Sequence, residues 1–137
     1  MIGLDTNVLL RWLIDDSIVP DDDPTQTDLV NQAILDSDDT FFVNHVVLAE
    51  TMWVLRNRAG QSKELVCEIA SRLLHTSNIE VQDRRVVEAA IASFAREPGD
   101  FADHLIGHIN RAARCTTTLT FDRKASKTPT LFKRLGG

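Results

Sequence analysis

The sequence predicts an α/β fold in which a largely parallel sheet is covered by helices. Two observations carry this. Strand-like and helix-like patterns alternate along the chain, the order that yields parallel strands joined by helical crossovers. The opening residues show the pattern most clearly. Met1-Ile2-Gly3-Leu4 is a short apolar run that stops at Asp5, and Thr6-Asn7 leads into Val8-Leu9-Leu10-Arg11-Trp12-Leu13-Ile14. Such a run reads as a buried strand turning straight into a helix. Ligands of open α/β sheets gather at the carboxyl ends of strands, which is where Asp5 falls.

The 137 residues suggest a single domain spanning 1–137, and a hydrophobic content of 43% is enough for an ordinary core. Cys67 and Cys115 lie far apart in sequence and form neither a metal spacing nor a disulfide framework. No apolar run reaches the roughly 20 residues that span a bilayer, and Asp5 interrupts the only candidate leader. A cytoplasmic protein without a membrane partner is the expectation. The net charge of −5 is unevenly spread: residues 1–50 hold eleven acids and one base, whereas residues 111–137 hold seven bases and one acid. Such asymmetry can build one positive face on an acidic protein, although ordinary solvated side chains explain it equally well.

The remaining elements follow in order. Asp15 to Pro24, with five aspartates and two prolines, reads as a solvated surface loop; its spacing is not that of a calcium loop. A helix from about Pro24 to Leu35 presents Leu29, Val30, Ala33 and Ile34 at helical spacing. Thr40 to Val43 is strand-like, and Asn44 can cap a helix over His45 to Arg58. That helix is apolar on almost every side and should be buried nearly all round, with Glu50 as its only acid. A buried carboxylate needs a partner or a metal, so Glu50 is a candidate site residue; a Glu50 that faces solvent or pairs with an arginine is the plain alternative. Ser62 can cap a helix with Leu65, Val66, Ile69, Ala70, Leu73 and Leu74 on its apolar face, and His75 closes it without a ligand role. Ile79-Glu80-Val81 is a short strand, and Asp83 caps a helix whose Val86, Val87, Ala90, Ile91 and Phe94 face inward. Pro98-Gly99 breaks the chain before a helix that starts at Asp100. Asp100 and Asp103 share its first turn, where a capping box explains both without any chemistry. Cys115 to Thr120 reads as a strand followed by Asp122, which echoes Asp5, and Thr130 to Leu135 as a short edge strand.

In such a fold Asp5 and Asp122 can converge at one sheet edge, with Asp103 and Glu50 approaching it. Carboxylates gathered in one cleft repel, and protons or divalent cations must offset the charge. Ligation by oxygen favours Mg²⁺ or Mn²⁺ over zinc. A cation so held activates water against phosphorus and stabilises the departing oxygen, which is phosphodiester hydrolysis without a Ser, Cys or His nucleophile.

The motifs also carry a resemblance. Ile2-Gly3-Leu4-Asp5-Thr6-Asn7-Val8-Leu9 resembles the start of PIN-domain ribonucleases. Leu48-Ala49-Glu50, Asp100-Phe101-Ala102-Asp103-His104-Leu105-Ile106 and Thr120-Phe121-Asp122-Arg123 resemble their later motifs in the same order. The match is to VapC-type toxins of toxin–antitoxin modules and covers essentially the whole chain. It implies a three-layer α/β/α fold with a mainly parallel sheet, and a Mg²⁺- or Mn²⁺-dependent endoribonuclease. By motif, Asp5, Glu50 and Asp103 are the principal acids, Asp122 the fourth, Asp100 an auxiliary one, and Asn7 and Thr120 polar supports. His104 stands where many relatives have a small residue. The resemblance further implies a homodimer held inactive by a cognate antitoxin. Arg111, Arg114, Arg123 and Lys124 are then candidates for the RNA backbone. Two rivals remain. A phosphoaspartyl enzyme of the haloacid-dehalogenase type needs a second Asp two residues after Asp5, where Asn7 stands. A non-catalytic metal- or partner-binding module would carry the same acids without cleaving RNA.

Overall fold

The computed structural model describes residues 1–13 and 24–136 and divides into two compact units, Met1–Gln82 and Asp83–Gly137. Most of the expected acidic loop, residues 14–23, lies outside the described residues.

The first unit contains a three-stranded parallel sheet, β1 (Ile2–Gly3), β2 (Phe41–Val43) and β3 (Ile79–Val81), in that spatial order. The register pairs Ile2 with Phe41, Phe41 with Ile79, and Val43 with Val81. Helices α1 (Thr6–Leu13) and α2 (Pro24–Leu35) connect β1 to β2; α3 (His45–Trp53) and α4 (Lys63–Leu74) connect β2 to β3. Parallel neighbours require such crossovers, so the alternation in the sequence is realised. The central strand is the most buried, with Phe41 and Val43 in the core, and Ile79 and Val81 of β3 are buried beside it. β1 is not the buried strand the sequence suggested. It lies at the edge of this sheet, and Ile2 is 45% exposed; burial begins at Leu4.

Two helices of this unit bury less than their composition implied. In α2, Val30 and Ile34 are buried while Leu29, Ala33 and Leu35 are exposed. In α3, Val47, Leu48, Thr51 and Met52 face the core. Val46, Glu50 and Trp53, spaced four and three apart, form one exposed stripe. A uniformly apolar helix therefore hides a solvent face, and the burial argument for Glu50 is overturned. After Trp53 the helix widens into a π-turn over Val54–Arg58, closed by Ala59 N–H to the Val54 carbonyl at 2.9 Å. The expected cap on α4 is present: the Ser62 hydroxyl accepts Leu65 N–H at 3.1 Å. His75 ends α4 on the surface, its Nδ1 2.7 Å from the Ser71 carbonyl oxygen.

The second unit pairs α5 (Arg84–Arg96) with α6 (Phe101–Ala112) and adds a two-stranded parallel sheet, β4 (Thr118–Thr120) with β5 (Phe132–Arg134). Phe94 and Phe101 meet edge to face at 5.8 Å between α5 and α6. Asp83 occupies the N-cap position of α5 in a left-handed conformation, φ 45°, but its side chain makes no capping bond to the helix. β4 starts later than its sequence suggested because α6 ends in a six-to-one closure. Cys115 N–H reaches the Asn110 carbonyl at 2.9 Å, and Arg114 takes the left-handed position, φ 73°, that glycine usually fills. That closure consumes Cys115. Gly107 lets α6 lie close on the segment leading into β5: a Cβ there would sit 3.1 Å from Leu131 Cβ and from Phe132 Cε2.

Candidate active site

Asp5 follows β1 directly. Its carbonyl accepts Leu9 N–H and its Oδ1 accepts Val8 N–H, both at 3.0 Å, so it caps α1. The side chain is exposed and borders a surface pocket of about 260 Å³ together with Asn7, Val8, Arg11, Gln26 and Leu29. Asp5 thus opens to solvent-accessible space rather than to the core. Further along the carboxyl edge of the same sheet, Asn44 Oδ1 accepts Val47 N–H at 2.9 Å and starts α3. Gln82, just past β3, holds that start through its Oε1 to His45 N–H at 2.9 Å. Glu50 lies more than a turn into α3 and is exposed. Asn7, expected to orient a carboxylate, is exposed on the pocket wall.

The second unit gathers the other acids. Asp103 sits half-buried in the first turn of α6. Its Oδ2 accepts Asp100 N–H at 3.0 Å, the capping-box bond that the sequence allowed. Burial pushes the Asp103 carboxyl above its ordinary value. The Asp100 N–H bond opposes this, the charges of Asp122 and Asp100 add to it, and His104 opposes it weakly. Asp100 and Asp122 are therefore each near enough to Asp103 to repel its charge. Asp122 Oδ1 accepts two backbone N–H groups, Lys124 at 2.7 Å and Ala125 at 3.0 Å. Thr120 supports it through the backbone: Thr120 Oγ1 accepts Asp122 N–H at 3.0 Å.

Asp5, Asp103 and Asp122 share one arrangement. In each, one carboxylate oxygen is fixed by backbone N–H groups, and the other makes no hydrogen bond among the described residues. Hard oxygen donors beside a carboxyl destabilised by burial and like charge suit a divalent cation, which relieves that penalty. The donor chemistry fits such an ion, yet among the described residues no group of three His, Cys, Asp or Glu forms a ready-made cation site.

Arg111, Arg114, Arg123 and Lys124 are all exposed on the second unit, and Arg123 and Lys124 directly follow Asp122. Sequence reasoning missed Ser93 and His108. The Ser93 Oγ lies 2.6 Å from His104 Nδ1 and 3.2 Å from His108 Nε2. The available signals were a lone hydroxyl on the apolar face of α5 and two histidines four apart on α6. His104, unexpected at its position, is accommodated by this pairing and is only 1% exposed.

A PIN domain family model matches residues 2–131. The chain belongs to the PIN domain family. PIN domains are in general nucleases and in general use divalent metal ions. The α/β architecture and the parallel strand pairing of this PIN domain agree with the three-layer fold that the motifs implied. No match was found among curated proteins or among solved structures. Among the described residues of the PIN domain, no helix is long and apolar enough to cross a membrane.

Proposed function

We propose that this PIN domain is a divalent-metal-dependent endoribonuclease, the toxin of a toxin–antitoxin module, and that residues 1–137 act as one domain. The observation that carries the reading is Asp103: a half-buried carboxyl raised by burial and by Asp122 and Asp100, with one oxygen already committed to Asp100 N–H. Asp5, Glu50, Asp103 and Asp122 supply carboxylates to Mg²⁺ or Mn²⁺. When bound, the ion activates water and stabilises the oxygen that leaves phosphorus. The chain's own contribution is to hold each acid still. Backbone N–H groups fix Asp5, Asp103 and Asp122, Thr120 sets the backbone of Asp122, and Asp100 and Asn7 support the acids beside them. Arg111, Arg114, Arg123 and Lys124 attract the RNA backbone. A homodimer and a cognate antitoxin complete the proposal, in the cytoplasm.

The test is cleavage of total cellular RNA by the purified chain with Mg²⁺, with Mn²⁺ and with EDTA, beside Asp5→Asn. Fragments that need both the metal and Asp5 support the reading. Identical fragments from wild type and Asp5→Asn would overturn it. A second reading, a non-catalytic partner-binding module, draws on the lack of a ready-made three-ligand group among the described residues. Antitoxin-free protein that cuts nothing in either metal would favour it.

A further inference from the structure

We propose that Ser93 and His108 are positioning residues for Asp103 and act on it through His104. This rests on the reading of Asp103 as a metal-holding acid. The polar chain begins at the Pro98 carbonyl, 2.9 Å from His104 Nε2. A carbonyl can only accept, so Nε2 carries the hydrogen; in the neutral form of the ring Nδ1 is then the acceptor. The Ser93 hydroxyl donates to that nitrogen at 2.6 Å; its other acceptor, the Ala90 carbonyl, is at 3.5 Å and competes poorly. The Ser93 oxygen then receives the His108 Nε2–H at 3.2 Å. With the ring neutral, that carbonyl sets the direction of these three hydrogen bonds. Phe94 packs edge-on against the His104 ring at 6.0 Å and limits its rotation.

The chain holds the turn that sets Asp103. Pro98, Gly99 and Asp100 enter α6. The Pro98 carbonyl is bound by the ring of residue 104, and the Asp100 N–H by the carboxylate of residue 103. Gly99, at φ 104°, lies directly over both: a Cβ there would be 3.5 Å from Asp103 Oδ2 and 3.5 Å from His104 Nε2. Loss of the Ser93 hydroxyl loosens the ring that binds the Pro98 carbonyl, and through that turn it weakens the hold of Asp100 N–H on the carboxylate. A hydrogen bond made directly to a metal ligand orients it, and losing one typically costs about 10- to 100-fold in metal affinity or activity; Asp100 N–H makes that bond to Asp103, and Ser93 and His108 act one step behind it.

The full chain is compared as wild type, Ser93→Ala, Ser93→Thr and His108→Leu. In metal-free protein, nitrogen NMR reads which His104 nitrogen carries hydrogen, and amide exchange reads Asp100. Calorimetry then measures Mn²⁺ affinity, and RNA cleavage follows. Ser93→Ala is expected to speed Asp100 exchange and weaken Mn²⁺ binding by up to about tenfold, the lower end for a bond made directly to a ligand; Ser93→Thr, which keeps the hydroxyl, restores both. A folded Ser93→Ala with wild-type exchange and wild-type Mn²⁺ affinity overturns the proposal. If Ser93→Ala fails to fold, His108→Leu makes the same comparison. A wild type that neither binds Mn²⁺ nor cleaves RNA refutes the nuclease reading instead, and Asp100 exchange in the variants still decides the positioning role.

Discussion

Replacing Asp103 by Asn removes a charge and keeps an acceptor. The Asn oxygen can still take Asp100 N–H, so that capping-box bond, worth about 0.5–1.5 kcal/mol, survives. What is lost is the attraction of a carboxylate to the start of α6, about 0.3–1 kcal/mol for a partly exposed group. What is gained is relief from burial and from repulsion by Asp122 and Asp100. The two oppose, and the net change in metal-free protein should stay below about 1 kcal/mol, a melting shift under about 4 °C at this chain length. Asp103→Ala also loses that bond and should fall by about 0.5–1.5 kcal/mol more. The pH dependence has a definite sign. The folded protein holds the Asp103 proton to higher pH than the unfolded chain does, so the wild type carries its full penalty above the raised folded value. It loses that penalty as pH falls through the folded value toward the ordinary 3.8. The advantage of Asn over Asp should therefore shrink on acidification. With Mn²⁺ at a hundred times its dissociation constant the wild type should gain about 2.7 kcal/mol, and Asp103→Asn much less. Thermal melts at pH 4 to 8, with EDTA or Mn²⁺, measure all of this. An Asn variant as unstable as Ala, or a wild-type-to-Asn difference unchanged across pH, would refute the reasoning.

Three further outcomes are expected. Gly107→Ala should destabilise by about 1 kcal/mol in urea unfolding, because overpacking against Leu131 and Phe132 costs about 1–3 kcal/mol and exceeds the gain in helix propensity of about 1 kcal/mol. Asn44→Ala should cost about 1 kcal/mol by removing the bond to Val47 N–H, and amide exchange should show the loss concentrated at the start of α3. Arg123→Ala should weaken RNA binding and lower its salt dependence by about one unit of slope; an unchanged slope removes Arg123 from the interface.

Much of the fold was legible because local rules and topology agree in this chain. Asn44 and Ser62 cap the helices their positions suggest, and the buried faces of α4 and α5 follow helical spacing. Asp5 and Asp103 stood out as acids at element starts, and both are. Hydrophobic pattern alone misled where it could not tell which apolar residues meet a neighbour. Val46 and Trp53 look like core and are exposed, so Glu50 between them lost its argument from burial. The start of β4 depended on the left-handed Arg114, which no propensity favours. The Ser93 pairing is tertiary: the hydroxyl lies 11 positions from His104 and 15 from His108, and neither spacing is a recognisable motif.

The capping role of the acids has a thermal consequence. Asp5 and Asp103 each keep their orientation only while a first helical turn stays wound, and Asp122 while its own turn does. First turns fray at far lower free energy than cores unfold. Warming should therefore loosen the carboxylates while the sheets remain intact, and the optimum temperature for cleavage should fall below the melting temperature of the same protein.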